Sequence, residues 1–220
     1  MCGVRATGAI LPLPPKMAAT AGGVKAIAFD GEAGGLAFYT TRDAAQLSWD
    51  PPQGCTTTGP PNGTVTCDAA KMNAGRPTRD KVTGPADKRL GAGFGDPTAA
   101  YLNETDGKLY GVFAASEQAQ VNDTWRNPGR YAAIMYRTKT DADYREWEFV
   151  SEVWRAPPTQ TSKRMGFTNC PDFFRLADGR FVFAYLSHST QYGGTRILSF
   201  VGTCDEFFNC EWPDSGDSGR

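Results

Sequence analysis

An all-β fold is predicted by three features of this 220-residue sequence. A strand–turn–strand segment occurs twice, 72 residues apart when Gly107 is laid on Gly179. An apolar strand followed by an acidic turn and a tryptophan occurs three times. Glycine and proline, with 25 and 15 copies, punctuate the chain too often for long helices. Repeated meanders of four antiparallel strands are the pattern of propeller blades. The sequence therefore predicts a partial β-propeller of about three four-stranded blades, with almost no helix. A β-sandwich is the alternative architecture for the same strands.

The hairpins come first in each unit. Pro97 to Ser116 reads PTAAYLNETDGKLYGVFAAS, and Pro171 to Ser189 reads PDFFRLADGRFVFAYLSHS. Asp106-Gly107 and Asp178-Gly179 are expected to supply the positive-φ residues of a tight turn. The flanks are rich in aromatic and β-branched residues, which fit a pleated sheet. The second half of each unit comes next. Gly35 to Trp49, Tyr131 to Trp147 and Arg196 to Trp212 each run from a strand through an acid to a tryptophan. Trp49, Trp147 and Trp212 are expected in the core and not as sugar platforms. Residues 1–220 are read as a single partial domain with blades at 6–60, 94–156 and 168–220. Residues 59–93 are expected to form a long loop. At 72 residues per repeat, a closed ring of five blades needs about 350 residues, more than this chain has.

Composition removes several function classes. The net charge is −1, without the basic face that nucleic-acid binding needs. No apolar run approaches the roughly 20 residues of a membrane helix. No basic n-region leads into an apolar stretch at the start, so no signal peptide is read. One histidine, His188, and no C-x-x-C pair argue against a zinc site, and no other metal or cofactor is expected. The six cysteines include two pairs close in sequence, Cys55 with Cys67 and Cys204 with Cys210. They are local loop disulfides or free thiols, and a bridge demands Cα atoms within about 7 Å. Sequons at Asn62, Asn103 and Asn122 lean toward a secreted protein.

Two segments carry a resemblance to a family. Thr168-Asn169-Cys170-Pro171-Asp172-Phe173-Phe174 resembles the W-E-C-P-D-F-F motif of glycoside hydrolase family 32, the invertases and fructanases. Phe94-Gly95-Asp96-Pro97-Thr98 resembles that family's F-R-D-P-T motif. Weaker pieces spread the likeness over nearly the whole chain: Thr7 to Pro12, Val201-Gly202-Thr203 and Asp214-Ser215-Gly216. The resemblance implies a five-bladed propeller with a fructoside pocket at its axis. It also implies cleavage of sucrose or fructans with retention, and a secreted or vacuolar origin. Such chemistry needs two carboxyl groups roughly 5–5.5 Å apart, a nucleophile and an acid/base.

Residue by residue, the catalytic set is incomplete. The family's nucleophile motif, W-M-N-D-P-N-G, does not occur, and the chain begins beyond the place expected for it. Asn169 stands where the acid/base glutamate belongs, and an amide cannot cycle a proton. Gly95 replaces the arginine of R-D-P. Asp96 remains as the substrate-binding carboxylate for fructose hydroxyls, or as an ordinary acid at the start of a strand. Gly216-Asp217-Ser218-Gly219 matches a serine-protease tetrapeptide, but no scaffold follows Ser218 to build an oxyanion hole. Asp172, Asp178 and Asp214 are the other acids to pair, and Asp178 is accounted for by its turn. Arg42-Asp43 loosely resembles a sialidase Asp-box turn, which is structural in any propeller. Two functions stay open: a truncated β-fructofuranosidase, inactive by itself, and a non-catalytic carbohydrate-binding propeller protein. The start of the chain favours the first, the internal Asn169 substitution the second.

Overall fold

The computed structural model describes residues 10–30, 37–45, 48–50, 55–58, 64–67, 98–116, 119–121, 124–126, 131–155, 168–189 and 194–213. They form three antiparallel sheets and two small ribbons.

The first sheet holds β1 (Ile10–Pro12), β2 (Ala26–Asp30) and β3 (Ala37–Thr41) in that order. A single bridge from Thr40 to Asp50 stands where the fourth strand was expected. Pro51 and Pro52 come next in sequence, and proline has no N–H to extend a ladder. The first unit also lacks the tight hairpin of the other two. Its first connection contains a helix, α1 (Pro15–Thr20), with proline at the first helical position, where no N–H is needed. The helix ends at Ala21 as the N–H groups of Gly22 and Gly23 fold back onto the carbonyls of Ala19 and Ala18.

β4 (Cys55–Thr58) and β5 (Thr64–Cys67) form a ribbon, so the stretch expected as a long loop contains a strand at Thr64–Cys67; residues 59–63 and 68–93 lie outside the described residues. Both strands are threonine-rich, and Thr56 faces Thr66 across the pair, a stabilising β-branched match. Cys55 and Cys67 are directly opposed in this register.

The second sheet runs β6 (Thr98–Asn103), β7 (Lys108–Ser116), β10 (Tyr131–Thr138) and β11 (Trp147–Arg155). A ribbon of β8 (Ala119–Val121) and β9 (Thr124–Arg126) branches between β7 and β10. The third sheet is β12 (Thr168–Arg175), β13 (Phe181–Ser189), β14 (Gly194–Cys204) and β15 (Cys210–Glu211), again in chain order. Both hairpins expected from the repeat are present, but the turns are longer than two residues. Asn103 pairs with Lys108 and Arg175 with Phe181. Only the glycine of each Asp-Gly takes a positive φ, 68° at Gly107 and 92° at Gly179. The aspartates act instead through their carboxylates. Asp106 Oδ1 accepts the Lys108 N–H at 2.9 Å, and Asp178 Oδ1 accepts the Arg180 N–H at 3.0 Å. Such side-chain caps build a turn without left-handed backbone at the acid.

The sheets pack in chain order. Along β7, Leu109 and Phe113 share a core with Leu11 and Ile27 of the first sheet and Met17 of α1. Tyr110 and Val112, on the opposite face, meet Phe173 and Phe183 of the third sheet. The period of two thus buries both faces of one strand. β6 lies against both β1 and β12, so the first strands of the three sheets are neighbours. At the far side β11 touches β15. The remaining face of the third sheet leaves Phe174, Ile197 and Val201 exposed.

The acid-then-tryptophan pattern has a common structural meaning. Asp43, Asp143 and Asp205 each accept the backbone N–H two residues on, from Ala45, Arg145 and Phe207, at 2.8–2.9 Å. Trp147 and Trp212 are buried, with their indole N–H groups donating to Tyr144 O and Val153 O. Trp147 and Trp212 are core, as expected, whereas Trp49 is only half-buried.

Cys204 and Cys210 are bridged, with Cα atoms 4.0 Å apart. The bridge closes a loop that drives Phe208 between the second and third sheets. Its ring lies 5.3 Å from Tyr110 and its carbonyl accepts from Ser151 Oγ at 2.8 Å. Closing so short a loop stabilises by about 2 kcal/mol on the chain-entropy relation. Replacing both cysteines by serine is expected to lower the urea midpoint accordingly. An unchanged midpoint would show that the Phe208 loop holds without its bridge.

Candidate functional site

Of the residues singled out by sequence, Asn169 belongs to the first strand of the third sheet, and Asp96 precedes the first strand of the second sheet in the sequence. Asp96 lies outside the described residues, two positions before β6. Asn169 is the second residue of β12, paired through its backbone with Leu186; its side chain is likewise outside the described set. The 72-residue offset lays Asn169 on Pro97 and Thr168 on Asp96, within one residue of equivalence.

Both strands are interrupted in the same place. In β12 the register shifts between Asn169 and Asp172, and in β6 it shifts between Thr98 and Ala100. The offset superposes these two bulges. Each lies at or just past a proline, Pro171 and Pro97, which has no N–H for the ladder. A bulge adds one residue, bends the strand and re-aims the side chains next to it, so it is a common device beside binding sites. In β12 it gives Asn169 and Asp172 the same parity in the ladder, although they are three apart in sequence. Asp172 is exposed, and its Oδ1 accepts the N–H of Phe173 at 3.0 Å. Asp178 is held in its turn by Arg180, which pairs with it at 2.8 Å and lowers its pKa. It is a turn residue, as expected from sequence. Asp214, Ser218 and the side chain of His188 lie outside the described residues. Among the described residues no group of three or more histidine, cysteine or acidic side chains is placed to hold a metal.

A polar row at the turn end of the second sheet was not anticipated. Tyr110 Oη donates to Asp106 Oδ2 at 2.6 Å, and Arg137 Nη1 donates to Tyr110 Oη at 3.4 Å. Arg137 Nε donates to Glu148 Oε1 at 2.6 Å, with Lys108 Nζ 3.6 Å from the same oxygen. Burial raises the Tyr110 pKa, the bond to Asp106 raises it further, and Arg137 opposes both. Tyr110 therefore stays a protonated donor at neutral pH. Two acids and two bases compensate one another, so the row fastens three strands and offers no free acid or base. The signal existed only as Lys108, Arg137 and Glu148 at the ends of apolar strands. Their meeting depends on the register Tyr110–Arg137–Glu148, which no local pattern prescribes.

No family model matches the chain, and no curated protein matches it. Among solved structures it is similar to a GH32 beta-fructofuranosidase of Bombyx mori, BmSUC1, at 15% identity and a TM-score of 0.39. That match covers 82% of this chain, which spans 42% of the length of the Bombyx mori chain.

Proposed function

We propose that this chain is a β-fructofuranosidase-like protein of the family-32 type. In this reading its 220 residues are part of a five-bladed fructoside-hydrolase propeller, and they hold a carboxylate contact to a fructoside without a complete catalytic set. The observation that carries this reading is the matched pair of bulged first strands. The D-P-T and C-P-D-F-F segments sit at their beginnings, and β6 lies against β12. Sheets stacked in chain order, with first strands adjacent, support the propeller architecture. Asp96 is the residue assigned to the sugar hydroxyls, through charge-assisted hydrogen bonds. Asn169 supplies an amide where protonation of the leaving oxygen needs an acid. The second reading, a non-catalytic carbohydrate-binding protein, is favoured by that same internal residue.

The test is fructose release from sucrose and inulin by the purified chain, together with calorimetric titration of fructose. No turnover is expected for the chain or for Asn169→Glu, because retaining hydrolysis needs a nucleophile as well. Saturable fructose binding is expected, weakened about tenfold or more by Asp96→Ala, since a hydrogen bond to a charged group contributes about 1.5–3 kcal/mol. Turnover abolished by Asp96→Asn would overturn the assignment of roles. Absence of any binding would remove the fructoside reading altogether.

A further inference from the structure

We propose that Asn103 is a site of N-linked glycosylation, its Nδ2 carrying an oligosaccharide. Of the three sequons, Asn103-Glu104-Thr105 is the one within the described residues. It occupies the end of β6 and the connection to β7, with Glu104 and Thr105 exposed. The Asn103 Oδ1 accepts the Thr105 N–H at 3.0 Å, and the Asn103 carbonyl accepts the Gly107 N–H at 2.8 Å. Both of these turn-shaping bonds use an oxygen of Asn103, so substitution at Nδ2 disturbs neither. The central position is Glu104, not the proline that blocks acceptor sequons.

A separate observation agrees with a chain that passes through an oxidising compartment, as such transfer requires. The Cys204–Cys210 disulfide belongs to an oxidising compartment, and Cys55 is the backbone partner of Cys67 in the β4–β5 register. The donor is an oligosaccharide joined through its C1 to a lipid diphosphate. The C1–O bond to phosphate breaks and a C1–N bond to Asn103 forms. The lipid diphosphate leaves and one amide proton is released, with no oxidant or reductant involved.

The full chain is directed to the secretory pathway of a eukaryotic cell behind a cleavable signal. Total product, cell-associated and secreted, is analysed by peptide mass spectrometry before and after peptide-N-glycosidase. The peptide spanning Asn103 is expected to carry a glycan whose removal leaves aspartate. Asn103→Asp keeps the oxygen acceptor for Thr105 and removes the amide nitrogen. It should lose that glycan while matching the melting temperature of the deglycosylated protein. Thr105→Ser should retain the glycan and Thr105→Ala should lose it. An unmodified Asn103 peptide in material whose Cys204–Cys210 bond is oxidised would overturn the proposal. So would a glycan content unchanged in Asn103→Asp, which would assign the sugar to Asn62 or Asn122.

Discussion

Gly202→Ala is expected to unfold the outer edge of the third sheet and to cost about 3 kcal/mol or more. A Cβ at this position would sit 2.1 Å from the carbonyl oxygen of Glu211 and 2.6 Å from Trp212 Cε3. Neither neighbour is free to yield. The Glu211 backbone is held in the β14–β15 ladder, where Thr203 pairs with it, and the disulfide adjoins that pair. The Trp212 indole is buried, and its N–H is committed to Val153 O of the second sheet at 2.7 Å. Relief therefore requires β15 to leave the sheet and the indole to leave the core. A small protein's net stability is about 5–15 kcal/mol, so the loss is a large share of it. Urea unfolding of the alanine variant measures the cost. A midpoint equal to that of the parent would show that β15 does not pack over Gly202.

The second large effect is expected at Phe183. Its ring is fully buried and lies 5.5 Å from Trp154, 5.6 Å from Tyr185 and 6.0 Å from Trp212. It joins the third sheet to β11 of the second, through Trp154. Phe183→Ala leaves a cavity lined by aromatic rings that cannot close over it, at a cost of about 3–5 kcal/mol. Tryptophan emission should shift to longer wavelength as water reaches Trp154 and Trp212. Ile197→Ala, at a side chain 75% exposed on the uncovered face of the same sheet, should change stability by no more than about 0.5 kcal/mol. Equal effects of the two substitutions would reverse the assignment of inner and outer faces.

The contrast between these two positions shows how far local pattern reaches. Phe183 and Ile197 are both apolar residues in apolar strands. Their strands are rich in aromatic and β-branched residues, so membership of a strand was legible. Which parity faces the neighbouring sheet was not, because that depends on how sheets stack. The same limit hid the Tyr110–Arg137–Glu148 row, assembled from three strands that span residues 110–148. It also hid the correction in the first unit. A bridge at Asp50 and a helix after β1 interrupt a repeat that the second and third units keep.

The candidate site divides in the same way. The D-P-T and C-P-D-F-F segments were readable, since proline and the aromatic run after it are local signals. The contact of β6 with β12 comes from how the sheets stack, and the shared bulge comes from strand register, neither of which those segments prescribe.

Local chemistry alone determined where strands lie, where they turn and what ends them. Glycine relieves the φ constraint at Gly107 and Gly179, short acids cap neighbouring N–H groups, and tryptophan seeks burial close to those turns. Each of these acts over a few residues and is written in the chain. Tertiary structure alone decided the stacking order, the buried face of each sheet, the place of Phe208 between two sheets and the need for glycine at 202. Those outcomes rest on contacts between residues tens of positions apart, where close packing, rather than any local preference, selects one arrangement.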